Sequence, residues 1–227
     1  MPPPRALRPA AMPDGRQVFQ QAIAEIEAEI SAFSGLRPEV SFESEPPPRR
    51  LAPQAMAIAC TVAVDPGAVH ADPADPEAEA GAGRFVLLYD PAGQDGWAGP
   101  FRVIAYLRAE LEPEIAADPF IGQVGWSWLI EALDNRLAGY AAISGSVTRV
   151  VTEGFGAKQD QPVATDFEMR ASWSPVSEGS AGEAGQSFAL GRHAGAWADA
   201  LCAACGMPQL TPGVAQFPPP ARRRHRP

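Results

Sequence analysis

The sequence predicts an α+β protein: a single antiparallel sheet of about five strands with helices packed on it, in the order α-β-β-β-α-β-β-α. Three observations predict it. Apolar residues recur at three- and four-residue spacing in three separate stretches, the mark of amphipathic helices. Between them lie five apolar runs, most alternating with a period of two, bounded by Pro- and Gly-rich breaks. These runs come in consecutive groups rather than singly between helices, so they pair antiparallel.

A first helix is expected from Asp14 to Ser34. Val18, Phe19, Ala22, Ile23, Ile26, Ile30 and Phe33 share one face, Asp14 caps the start, Gly35 follows the end, and Glu25, Glu27 and Glu29 face water. The Pro-punctuated stretch from Arg37 to Pro53 reads as extended chain wrapping the surface. Strands are expected at Met56–Val64, Arg84–Tyr89 and Phe101–Leu111, the last placing Arg102, Arg108 and Glu110 opposite its apolar face. Residues 65–83 read as a mobile acidic loop.

Asp118-Pro119 has the form of an N-cap followed by proline at the first helical position. It predicts a helix to Asn135 with Val124, Trp128, Leu129, Ala132 and Leu133 inward. Strands at Tyr140–Glu153 and Val163–Trp173 follow, then a Ser/Gly/Glu-rich loop. A last helix spans Ser187–Cys205, with Leu190, Ala194, Trp197 and Leu201 as its buried stripe.

The 25 prolines cluster near both ends and in two internal stretches. Residues 1–13 and 208–227 are therefore expected to be disordered tails flanking one domain over 14–207. The net charge is −9, although Arg222, Arg223, Arg224 and Arg226 sit in the tail. Such an acidic body repels phosphate backbones, so nucleic-acid binding is not expected of the folded part. No apolar run reaches the length of a membrane span, and residues 1–14 contain no hydrophobic leader, so neither a membrane nor secretion is expected. Three cysteines do not make a disulfide framework, and a reducing cytoplasm is the expected compartment.

Residues for catalysis are poorly supplied. Cys202-Ala-Ala-Cys205 lies at the end of a helix, where the dipole disfavours a thiolate, and lacks the second pair a zinc site needs. His193 reads as a packing residue rather than a base. Gly81-Ala-Gly83 is not followed by a helix that could hold a phosphate. No catalytic residue, metal ligand or cofactor is assigned. The tryptophans are more informative. Trp126 and Trp128 stand about 200° apart on a helix, so if Trp128 is inward, Trp126 faces outward or into a groove. Arg102 and Arg170 stand on the polar faces of their strands, paired across strands or gripping an anion. Trp126, Arg102, Arg170 and Trp173 are the candidate ligand- or partner-binding residues.

The runs Arg49-Arg50-Leu51-Ala52-Pro53, Trp97-Ala98-Gly99-Pro100-Phe101-Arg102, Gly125-Trp126-Ser127-Trp128-Leu129 and Arg170-Ala171-Ser172-Trp173-Ser174-Pro175 resemble a family of uncharacterised proteins, a domain of unknown function, from high-GC Gram-positive bacteria. The resemblance implies a bacterial cytoplasmic protein and no particular activity. The element order is also similar to the type III secretion chaperone-like fold, which implies binding of polypeptide by a small acidic dimer. The sequence thus predicts a non-enzymatic protein-binding or chaperone-like module, with a protein partner or a homodimer. Two alternatives stay open: a small-molecule-binding protein or enzyme with a site near Trp126, Arg102 and Arg170, and an RNA- or DNA-associated protein using the Arg-rich tail.

Overall fold

The computed structural model describes residues 14–64, 79–160, 163–177 and 187–209. Expectations for the N-terminal extension, most of the acidic loop, the Ser/Gly-rich loop and the Arg-rich tail lie outside them.

Helix α1 (Gly15–Leu36) begins as expected, with the Asp14 side chain accepting from the Arg16 N–H at 3.3 Å. It ends later than expected. Gly35 stays helical, and the Arg37 N–H closes the last turn on the Phe33 carbonyl at 3.0 Å. Strand β1 (Val40–Glu45) stands where surface-wrapping chain was expected. With only Val40 and Phe42 on its apolar side it carries almost no pattern, and pairing with β2 (Gln54–Ala63) is what makes it a strand. Strand β3 (Glu79–Tyr89) starts five residues before the expected Arg84, because Gly81 and Ala82 join the ladders on both sides. Strand β4 spans Phe101–Glu110.

A short helix α2 (Pro113–Ala116) precedes α3 (Ile121–Asn135). Asp118 is not the α3 cap: its carboxylate accepts from the Phe120 N–H at 2.8 Å, and Phe120 occupies the cap position. Val124 points outward instead of inward, the buried stripe being Ile121, Gly125, Leu129, Ala132 and Leu133. Strands β5 (Tyr140–Thr152) and β6 (Ala164–Pro175) and helix α4 (Leu190–Ala204) follow.

All six strands form one antiparallel sheet in the order β1-β2-β3-β4-β6-β5. Its core face carries Ile58, Phe85, Leu87, Val103, Leu107, Phe167, Met169 and Trp173, all buried under α1, α3 and α4. Helix α4 lies in the middle, flanked by α1 and α3. It fits close to the sheet because β3 offers glycines beneath it. A Cβ on Gly83 would stand 2.9 Å from the Trp197 ring, and one on Gly81 would stand 2.5 Å from the Cys205 sulfur. The Trp197 Nε1–H donates to the Tyr106 carbonyl at 3.1 Å, so this large side chain is buried with its one donor satisfied.

The three helices are tied by charge as well as apolar packing. Glu25 and Glu29, expected to face water, turn inward instead. Glu25 Oε2 accepts the Leu190 N–H at 3.1 Å and so caps α4 from another helix. Arg136 bonds Glu29 and Asp199, each at 2.5 Å, which joins α1, α3 and α4. Burial alone would lower the Arg136 pKa, but the hydrogen bonds to Asp199 and Glu29 raise it above the usual range.

Candidate functional site

Two surfaces stand out: the edge formed by β5 and the sheet face that no helix covers. Among the described residues strand β5 pairs only with β6, and its other side presents backbone groups that none of them pairs. A bulge between Ala141 and Ser144 bends its start, with Ala142 at φ 50°. From Ser144 to Thr152 the register with β6 is unbroken, about 30 Å of regular edge. Arg149 is the only charged residue in the strand. Apolar side chains gather around its far half: Val151 is 57% exposed, Phe120 61% and Phe155 79%. The Arg149 guanidinium lies 3.4 Å from the Asp118 carbonyl, which brings the start of α3 against this half of the strand.

Trp126 belongs to this edge. It is half-buried, and its ring lies over Gly145 of β5, where a Cβ would meet it at 2.5 Å. The ring therefore rests on bare backbone beside the open strand. A glycine in mid-strand is the sequence signal that could have located this close approach.

Arg102 and Arg170 lie on the opposite face of the sheet, with neighbours Ile104, Tyr106, Ser172, Glu168 and Asp166. Trp173 lies on the core face and is fully buried. The four residues singled out in the sequence thus do not converge on one pocket, because strand alternation sends them to two faces. On this helix-free face Arg84 pairs with Glu45 at 3.1 Å, Arg108 with Asp166 at 2.8 Å and Arg170 with Glu168 at 3.3 Å. Arg170 also lies over the Tyr106 ring, 5.5 Å from its centroid. Arg102 differs. Its Nε donates to Ser172 Oγ at 2.6 Å, and its Nη1 donates to the Ala142 carbonyl at 3.0 Å and to Ser174 Oγ at 3.3 Å. Burial lowers its pKa, and no carboxylate raises it. The nearby loop bearing Trp97 is fastened to the same serine, with the Ala98 N–H donating to Ser174 Oγ at 3.0 Å.

A family model described as Protein of unknown function (DUF3000) matches residues 16–215. The chain belongs to this family. No curated protein and no solved structure matches it.

The remaining reactive groups of this DUF3000 chain are held in unreactive states. His193 is fully buried, and its Nδ1 accepts the Trp173 Nε1–H at 3.0 Å. Burial lowers its pKa to about 4, so it is neutral at physiological pH. Burial likewise pushes Cys202 and Cys205 up to about 12 and raises Cys60, which leaves all three as thiols. Among the described residues, no group of three or more His, Cys, Asp or Glu could hold a metal ion, and no helix is long and apolar enough to cross a membrane. A recess of about 420 Å³ is walled by the loop from Pro91 to Pro100, with Asp95 as the one titratable side chain in its lining.

Proposed function

We propose that this chain is a protein-binding module that takes an extended segment of another polypeptide as an added strand along β5. The observation that carries the reading is the nine-residue regular edge Ser144–Thr152, unprotected by lysine, proline or a covering element among the described residues. Backbone groups supply affinity in this mode and side-chain alternation supplies selectivity. The exposed side chains of β5 are serine, threonine and valine together with Ala142 and Arg149, so the fitting partner is a segment rich in β-branched residues with no cation opposite Arg149. Phe120, Val151 and Phe155 add apolar contact at one end, and Trp126 borders the strand on its core side. A reducing cytoplasm accords with three free thiols.

Selection of eight-residue peptides from a displayed library, followed by amide chemical-shift mapping, tests this. Selected peptides should shift the amides of Ser144–Thr152, and Arg149→Pro, which removes an N–H directed to the open side, should abolish their binding. Peptides that map elsewhere, or that bind Arg149→Pro unchanged, overturn it. A dimer in light scattering that Arg149→Pro dissociates would assign the edge to a second copy of the chain instead.

A further inference from the structure

On the helix-free face, where loop residues including Ala52 and Trp97 pack over Ala57, Val86 and Leu88, the arginines at Arg84, Arg108 and Arg170 each face a carboxylate within 3.3 Å. Arg102, more shielded than Arg84, Arg108 or Arg170, faces only neutral acceptors among the described residues. One reason is local. The bulge in β5 frees the Ala142 carbonyl from the ladder, and Arg102 reaches across β6 to bond it. That contact uses Nη1, and Ser172 uses Nε. Nη2 has no partner among the described residues, so its two N–H groups remain to be satisfied from outside.

The serines complete the arrangement. Ser172 Oγ accepts from Arg102, which leaves its own O–H free to donate away from the guanidinium. Ser144, its direct cross-strand partner on β5, shares that face and is exposed. A guanidinium pinned through Nε and Nη1 has already lost the rotamer freedom that binding would otherwise remove.

We propose that Arg102 and Ser172 form a recognition point for a single carboxylate, with Arg102 Nη2 and the Ser172 hydroxyl donating to its two oxygens. A monoanion fits better than a phosphate dianion, because a chain of net charge −9 repels the dianion twice as strongly. The site lies on the face away from α3 and does not depend on strand addition at β5.

The test follows the arginine Nε–Hε resonances in ¹⁵N NMR while sodium acetate replaces sodium chloride at constant ionic strength. Inorganic phosphate is titrated in parallel. Acetate should produce a saturable shift of the Arg102 resonance and of the Ser144 and Ser172 amides. Its midpoint should be on the order of tens of millimolar, as expected of one charge-assisted pair. Arg102→Gln should remove the response, and Ser172→Ala should weaken it several-fold. Saturation by phosphate alone overturns the assignment, as does a response equal to that in chloride or one retained in Arg102→Gln. If loss of the Ala142 contact unfolds Arg102→Gln, Ser172→Ala decides: an acetate midpoint equal to the native one overturns the two-residue site.

Discussion

The Trp173 Nε1–H donates to His193 Nδ1 at 3.0 Å, between two side chains that are both fully buried. This bond sets the tautomer, since an Nδ1 that accepts leaves the proton on Nε2. Among the described residues Nε2 in turn has no partner of ordinary hydrogen-bond geometry. Burial lowers the His193 pKa from 6.5 to about 4; the nearby Phe188 carbonyl opposes this and the Arg192 charge adds to it.

Acid sensitivity follows from that pair. The folded pKa lies below the unfolded one, so the unfolded chain takes up a proton first as pH falls. The contribution of neutral His193 is complete above about pH 6.5 and is lost between there and about 4, a drop of about 3 kcal/mol. Urea unfolding at pH 7.5 and pH 4.5 measures it. His193→Gln keeps an acceptor for Trp173 but does not titrate, and should flatten this part of the profile. A variant with the native slope would exclude His193 as its source.

Arg136 should be the costliest surface-facing residue to truncate. It joins Glu29 of α1 and Asp199 of α4 from its place after α3, and it lies over the Phe33 ring, 5.7 Å from the centroid. Arg136→Met leaves both carboxylates without their cation and should cost about 2–3 kcal/mol in chemical unfolding. A loss below about 0.5 kcal/mol would show the three helices held by apolar contact alone.

Gly83→Val sets strand propensity against packing. Valine favours strands, but its Cβ would stand 2.9 Å from the Trp197 ring and 3.1 Å from the Tyr106 carbonyl. Overpacking should win by about 1–3 kcal/mol and shift the tryptophan emission. Stabilisation by this substitution would mean that α4 is free to lift from β3.

The cysteines should be silent in the native state. With pKa values near 12, the Cys202 and Cys205 thiolates make up about one part in ten thousand at pH 8, and Cys60 is buried beside them. Ellman's reagent at pH 8 should react with all three only as the chain unfolds. A fast native phase would identify Cys205, the least buried of the three, as accessible.

What was legible in the sequence was whatever repeats along one element. The face of α1, the alternation of β4 and β6 and the buried stripe of α4 all follow from 3.6- and 2-residue periods, and each was placed to within a few residues. Strand β1 was not legible, because two apolar residues make no period and the partner strand supplies the order. The inward turn of Glu25 and Glu29 was equally hidden: their sequence neighbours suggest water, and their actual partners lie far along the chain at Leu190 and Arg136. Local pattern could name Trp126, Arg102, Arg170 and Trp173 as unusual, but not say whether they meet.

By itself, then, the sequence determined the α+β class, the single antiparallel sheet and the inward faces of most elements, because burial of apolar side chains imposes a period on each segment. Tertiary structure alone decided that β5 is an edge of the described sheet, that Trp126 lies on Gly145, and that Arg102 gives one donor to the Ala142 carbonyl while Nη2 keeps no partner among the described residues. Those facts depend on strand order and cross-strand register, which join residues distant in the chain and leave no periodic trace along it.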